Sequence, residues 1–222
     1  MKKIKGVIFD LDGTLANTLP LCIQAFRKSI EPLARRSISD EEIIASFGPS
    51  EEGTIMTLIP DHYEKGIASY LQFYETLHYT CSQPFLGIPE ILTTLKKRKV
   101  KLAIVTGKGA NSTLISLKQF ALHDFFQIIE TGSPIGPKKA EGIQHVLYTW
   151  KEFKKTEVIY VGDAPSDISA SKLVGIPVVA AAWADTADPE KLKLLCPDFI
   201  FYRVEDFALW INNNIPDEVG EA

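Results

Sequence analysis

Short apolar runs rich in β-branched residues alternate along most of this chain with longer amphipathic ones. "IKGVIF" (4–9), "VKLAIV" (100–105), "FFQIIE" (125–130), "EVIYV" (157–161) and "IPVVAAAW" (176–183) read as strands that are largely apolar throughout. A strand that is apolar on both faces has to be covered on both faces. The pattern therefore predicts a mostly parallel, doubly wound α/β sheet. "PEILTTLKKRK", "NSTLISLKQF", "AEGIQHVLYTWKEF" and "PSDISASKLV" read as the covering helices.

The alternation has one gap. Between about residues 16 and 85 no buried strand is visible, and "LPLCIQAFRKSIEPLARR", "SDEEIIASF", "SEEGTIMTLI" and "YEKGIASYLQFYETLHY" read as helices. "SDEE" and "SEE" offer serine N-caps with acids in the first turn. The block ends at the Pro- and Gly-rich "TCSQPFLGIPE". At 222 residues the chain suffices for one large domain with an insertion. The expected division is an α/β core of residues 1–15 and 86–222, with a helical cap of residues 16–85 inserted after the first strand. Such an insertion sits over the carboxyl ends of the strands, where α/β sheets bind ligands.

Those strand ends carry chemistry. The first strand runs into Asp10 and Asp12; "VKLAIV" runs into Thr106, Gly107 and Lys108; "EVIYV" runs into Gly162 and Asp163, with Asp167 four residues on; Lys138 and Lys139 precede a helix. Carboxylates gathered at the mouth of apolar strands repel one another and cost desolvation unless a cation or a reaction needs them. A divalent hard cation such as Mg²⁺ resolves the repulsion, and a lysine with a hydroxyl beside it suits a phosphate.

"DLDGTLANT" (10–18), "VTGK" (105–108), the lysine pair and "VGDAPSDISASKLVGIP" (161–177) resemble, in order, the four motifs of the haloacid dehalogenase-like hydrolase superfamily. The resemblance implies a Rossmann-like parallel sheet core. The helical block resembles the cap of the phosphoglycolate phosphatase-like branch, and "FGPSEEGT" (47–54) resembles its substrate-specificity loop, which would put Gly48 at the substrate. By the same resemblance Asp10 would be the nucleophile that forms an aspartyl-phosphate, and Asp12 the acid that protonates the leaving oxygen and then the base for water. The metal would lie among Asp10, the Asp12 carbonyl, Asp163 and Asp167, with Asp167 holding the lysine or a water of the metal's shell. Thr106, with Gly107 and Lys108, would bind the phosphate. The lysine of the third motif is Lys139 or Lys138. The usual Lys-Pro pair is absent from "GPKKAEG" (136–142), and the adjacent helix makes Lys139 the first choice.

The implied activity is a Mg²⁺-dependent phosphatase of a small phosphorylated metabolite. Asp12 favours phosphoester hydrolysis over dehalogenation, because a halide leaves without a proton and an alkoxide does not. Rival readings are a phosphomutase (β-phosphoglucomutase-like), a pyrophosphatase or nucleotidase, a phosphonatase using a cap lysine (Lys28 or Lys65) as a Schiff base, and a non-catalytic binding module. "GKGANS" lacks the last glycine of a dinucleotide loop, at Ser112. A net charge of −4 weighs against nucleic acid. The scattered Cys22, Cys81 and Cys196 fit a reducing cytoplasm. Neither a signal peptide nor a membrane span is expected, and the expected state is a monomer or weak homodimer. His62, His78, His123 and His145 share no metal-site spacing and read as structural or surface residues, and Trp183 as packing.

Overall fold

The computed structural model of the chain describes residues 4–215; residues 1–3 and 216–222, assigned above to the core, lie outside the described residues. Strands β1 (Gly6–Phe9), β2 (Lys101–Val105), β3 (Ile128–Glu130), β4 (Val158–Gly162), β5 (Val178–Ala181) and β6 (Phe199–Phe201) form one sheet in the order β3-β2-β1-β4-β5-β6. Every pairing is parallel. The expected α/β fold is the one observed.

Helices α5 (Ile88–Lys97), α6 (Ala110–Gln119), α7 (Lys139–Thr149), α8 (Pro165–Val174), α9 (Pro189–Leu194) and α10 (Val204–Asn214) cover both faces. The pleat decides which residue goes where. Val7 and Phe9 of β1 point into one cluster with Ile88, Ile91, Leu92 and Leu95 of α5 and Phe207 of α10, while Ile8 points into the other with Ile143 of α7 and Ile168 of α8. Spacings of three and four along α5 place its apolar residues on one stripe. Each such fully buried side chain contributes about 1.5–3 kcal/mol.

β1 lies between β2 and β4, with Phe9 level with Ile104 and Val161. The chain moves outward from β1 to β2 and β3, then returns to β4 on the other side. The strand order reverses there, and the residues after Phe9, Val105 and Gly162 emerge side by side.

Within residues 16–85 lie helices α1 (Leu19–Ala34), α2 (Asp40–Ala45), α3 (Glu51–Leu58) and α4 (Tyr63–Leu77), and no strand of the sheet. They pack around an apolar cluster of their own, including Leu21, Phe26, Ile30, Ile55 and Tyr70.

Some boundaries differ from expectation. The strand expected at 125–130 keeps only Ile128–Glu130, because His123–Phe125 forms a 3₁₀ turn. The one expected at 176–183 keeps only Val178–Ala181. α7 starts at Lys139 itself, not after it. Ser39 caps α2 by accepting the Glu42 N–H, as expected, but Ser50 makes no side-chain cap bond on α3.

Candidate active site

At the floor of the cleft the strand ends bring four ionisable groups together. Asp10 follows β1, and its Oδ2 accepts from Lys139 Nζ at 2.7 Å while Oδ1 accepts from the Leu11 N–H at 2.7 Å. The same ammonium donates to Asp167 Oδ1 at 2.5 Å. Asp167 is fully buried and also accepts from the Tyr160 hydroxyl (2.9 Å) and the Ala164 N–H (2.9 Å). Asp163 accepts from the Thr14 hydroxyl at 3.0 Å. Asp10, Asp163 and Asp167 present oxygens within 4.8 Å of one another. These are hard donors of the kind divalent cations take.

The electrostatics follow from burial. Burial pushes Asp10 up to about 6; Lys139 opposes this, Asp167 adds to it, and the Thr106 hydroxyl favours the ionised form. Asp163 is raised first by burial and then by its neighbours Asp10 and Asp167. Burial alone would discharge Lys139, but Asp10 and Asp167 together hold its proton well above the ordinary lysine value. The cluster is thus an anionic pocket that one lysine only partly compensates, which a dication would complete.

Two glycines make room for these carboxylates. Gly13 has φ +74°, and a Cβ there would stand 2.1 Å from Asp163 Oδ2. A Cβ on Gly162 would stand 2.4 Å from the Asp167 carboxyl. The glycine beside each acid is therefore part of the site. Trp183 stacks on Phe207 and donates from Nε1 to the Thr14 carbonyl at 3.1 Å, which fixes the turn after Asp12.

The roof is built differently. Asp12 turns away from the other acids; its carboxylate accepts from the Thr18 hydroxyl and lies 3.4 Å from Lys108 Nζ. Thr18 stands at the N-cap of α1 with helical rather than extended backbone (φ −89°, ψ −9°) and makes no cap bond; its hydroxyl donates to Asp12 instead. Lys108 leaves the loop after β2 and runs into the helical block. There its ammonium lies 3.2 Å from Cys22 Sγ and 4.3 Å from the Tyr74 ring centroid. Burial works against its charge, and the Asp12 carboxylate sustains it. Glu51, at the start of α3, accepts from the Gly109 N–H at 2.6 Å and from the Ser112 hydroxyl, so it caps α6 across the interface. Tyr74 and His78 both meet the Ser116 hydroxyl, at 2.7 and 3.0 Å.

These parts enclose a cleft of about 600 Å³. Asp10, Asp12, Thr106, Gly107, Lys108, Lys138, Lys139, Asp163 and Gly48 all line it, while Asp167 sits just behind, under Lys139. Lys138 is corrected by position: it points to solvent, 3.9 Å from Glu141, and does not join the acids. Lys108, expected at the phosphate, lines the cleft from the roof and faces Asp12. Lys28 and Lys65 are exposed and do not line the cleft. Sequence reasoning missed the roles of Glu51, Thr18 and Tyr160. Glu51 was visible only as a first-turn acid of its own helix, and its true partners are more than fifty residues away.

Comparison with known proteins gives a consistent result. Residues 7–181 match the family described as haloacid dehalogenase-like hydrolase. A protein named pyrophosphatase PpaX from Halalkalibacterium halodurans is 30% identical over 210 residues, covering 92% of this chain and 95% of that one. A solved haloacid dehalogenase-like family hydrolase from Streptococcus pneumoniae superposes with a TM-score of 0.77 at 27% identity, over 96% of this chain and all of that one. A protein from Haemophilus somnus described as a predicted phosphoglycolate phosphatase superposes with a TM-score of 0.79 at 21% identity, over 96% of this chain and 100% of that one; this likeness shows the fold alone.

Proposed function

The chain belongs to the haloacid dehalogenase-like hydrolase family, and from that premise we propose that it is a Mg²⁺-dependent phosphatase of a small phosphorylated metabolite, phosphoglycolate phosphatase-like, acting in the cytoplasm through an aspartyl-phosphate. The observation that carries the reading is Lys139, held between Asp10 and Asp167, with the Thr106 hydroxyl at Asp10 and Asp12 two residues further on, facing Lys108. A carboxylate approaches a phosphate dianion only if both charges are screened. Asp10, Asp163 and the Asp12 carbonyl would hold Mg²⁺, which supplies part of that screening. Asp167, already bonded to Lys139, Tyr160 and the Ala164 N–H, orients the lysine.

The chain's own groups then divide the work. Asp10 attacks phosphorus and the bond to the leaving oxygen breaks. Lys139 shifts its charge from Asp10 onto the phosphoryl oxygens as the Asp10 charge is consumed, and the Thr106 hydroxyl donates to one of them. Asp12 gives its proton to the leaving oxygen. It then takes a proton from the water that cleaves the aspartyl-phosphate, a task ordinarily worth about 10²–10⁴-fold in rate. The helical block, residues 16–85, serves as the cap: it closes over the cleft and excludes bulk water. The three free cysteines support the cytoplasmic assignment, and no helix among the described residues is long and apolar enough to cross a membrane.

The name of the 30%-identical relative favours a second reading, in which the leaving group is itself phosphate and the substrate pyrophosphate. The chemistry at Asp10 is the same. The test is mass spectrometry of the protein mixed with a nitrophenyl phosphate. The wild type with Mg²⁺ gains a phosphoryl group on Asp10, excess chelator prevents the gain, and Asp10→Asn loses turnover by about 10⁴–10⁶-fold. A phosphoryl group on any other residue, or full turnover in Asp10→Asn, overturns the reading.

A further inference from the structure

Resting on the phosphatase reading, we propose that the leaving group has an uncharged, apolar body, so that the substrate is a phosphomonoester of an apolar alcohol. Asp10 and Lys139 fix the phosphoryl end at the floor. What lies beyond it is set by the walls. The roof contributes Leu19, Cys22 and Phe26 of α1, Phe47 of the loop before α3, and Tyr70 of α4. Phe47, Phe26 and Tyr70 form a continuous row of rings, with centroids 5.8 and 4.5 Å apart. The row runs inward from the rim, where Phe47 is 37% exposed, to Tyr70, which is 1% exposed. Leu19 follows Thr18, whose hydroxyl donates to Asp12, so the apolar wall begins beside the group assigned to the leaving oxygen. From the core, α8 turns Ser166, Ser169, Ala170 and Leu173 to the cleft at helical spacings of three and four, and Leu173 at the outer end is 77% exposed.

Charge, volume and exposure lead to the same kind of occupant. Among the described residues the cations of the cleft already have carboxylate neighbours: Lys139 has Asp10 and Asp167, Lys108 has Asp12, and Lys138 stands in solvent beside Glu141. An anionic leaving group would meet no unpaired cation on these walls. Pyrophosphate and phosphoglycolate have about nine heavy atoms each. At about 30 Å³ per atom, the share a water takes in the liquid, either fills less than half of about 600 Å³. A single exposed apolar side chain is ordinary on a protein surface. Phe47 and Leu173, however, edge one cleft, the first from the helical block and the second from the core. An apolar body lying along the ring row and out to this edge takes both from water and fills the space that a small anion leaves.

The test compares kcat/KM for ethyl, butyl and hexyl phosphate, with phosphoglycolate and pyrophosphate beside them, in the wild type and in Phe47→Ala and Leu173→Ala. The three alkyl phosphates all release a primary alcohol and differ in apolar length alone. In the wild type kcat/KM should rise about fourfold per methylene. Hexyl phosphate should then exceed ethyl phosphate by about 100-fold, and phosphoglycolate and pyrophosphate should both fall below hexyl phosphate. A flat series, or a preference for either anionic substrate, overturns the inference. Each variant should lower the hexyl-to-ethyl ratio by about tenfold. Both rates are read on one sample, so partial unfolding does not move the ratio, and a ratio unchanged in both variants also overturns the inference. No wild-type turnover of any of the five with Mg²⁺ overturns the phosphatase reading itself, an outcome distinct from hydrolysis without a chain-length preference.

Discussion

Two lysines line one cleft, and they are held on different terms. Lys139 is clamped between two carboxylates, at 2.7 and 2.5 Å, by groups that all belong to the sheet and its covering helices. Lys108 has one carboxylate at 3.4 Å, and the rest of its surroundings, Cys22 and Tyr74, come from the helical block. The first charge is fixed by the sheet and its covering helices, without a contact to the helical block. The second exists in its present surroundings only while the helical block rests on the core. A buried charge held within one packed unit serves as a permanent part of the site; one held across an interface can report on closure and on what lies beneath it.

Removing the charge at each position is the harshest way to break this comparison. Lys139→Met leaves Asp10 and Asp167 buried without their cation, so stability should fall by about 3–5 kcal/mol and turnover by about 10²–10³-fold. Lys108→Met leaves only Asp12, which is partly exposed and keeps its Thr18 bond, so stability should change by less than about 1 kcal/mol. Denaturant midpoints of both variants measure the difference, and equal losses would erase the distinction.

A gentler change sharpens it. Glu51→Gln keeps the shape but replaces one of two accepting oxygens by an amide N–H₂, so the Gly109 N–H and the Ser112 hydroxyl, each now served by its own carboxylate oxygen, can no longer both be accepted. The contact across the interface should weaken by about 1–3 kcal/mol, raising KM about tenfold or more while phosphoenzyme formation on Asp10 at saturation is kept. Labels placed on α3 and α7 should report a wider mean distance in the variant. An unchanged distance and KM would mean that Glu51 does not hold the cap down.

The smallest expected effect is a pH dependence at the same interface. His78 is buried against Tyr74, Phe120 and Ser116, and burial holds its pKa below the ordinary 6.5; Lys108 pushes the same way and Asp12 opposes. Below pH 6.5 the unfolded chain takes up a proton that the folded chain resists. Stability is therefore complete above that pH and declines as pH falls toward the folded-state value. Melting temperatures of the wild type and His78→Gln at pH 7.5 and 5.5 check this. The wild type should lose more between the two, and a parallel loss would remove His78 from the account.

Much of the frame was legible because parallel strands covered on both faces must be apolar throughout, and β1, β2 and β4 are long enough to show it. β6, three half-buried residues at the sheet edge, gave no such signal. The stripe Val204, Phe207 and Ile211 of α10 was there to be read and was not. Asp10, Thr106, Asp163 and Lys139 were readable as strand-end or pre-helix residues in order along the chain. Glu51 was not, because a first-turn acid looks the same whether it serves its own helix or another.

Local sequence, acting through strand pattern and turn chemistry, determined the sheet, the helical block within residues 16–85, the acids that close β1 and β4 and the threonine that closes β2. Gly13 and Gly162, each next to its acid, belong to that local information, though the carboxylate each makes room for lies elsewhere. The helical frame made Lys139 the first choice, and tertiary structure closed the alternative of Lys138, because one side-chain direction reaches Asp10 and the other reaches water. Tertiary structure alone turned Lys108 toward Asp12 and Glu51 toward α6. These choices depend on which surfaces meet once the helical block packs on the core, and contacts across more than fifty residues leave no periodicity in the chain to read.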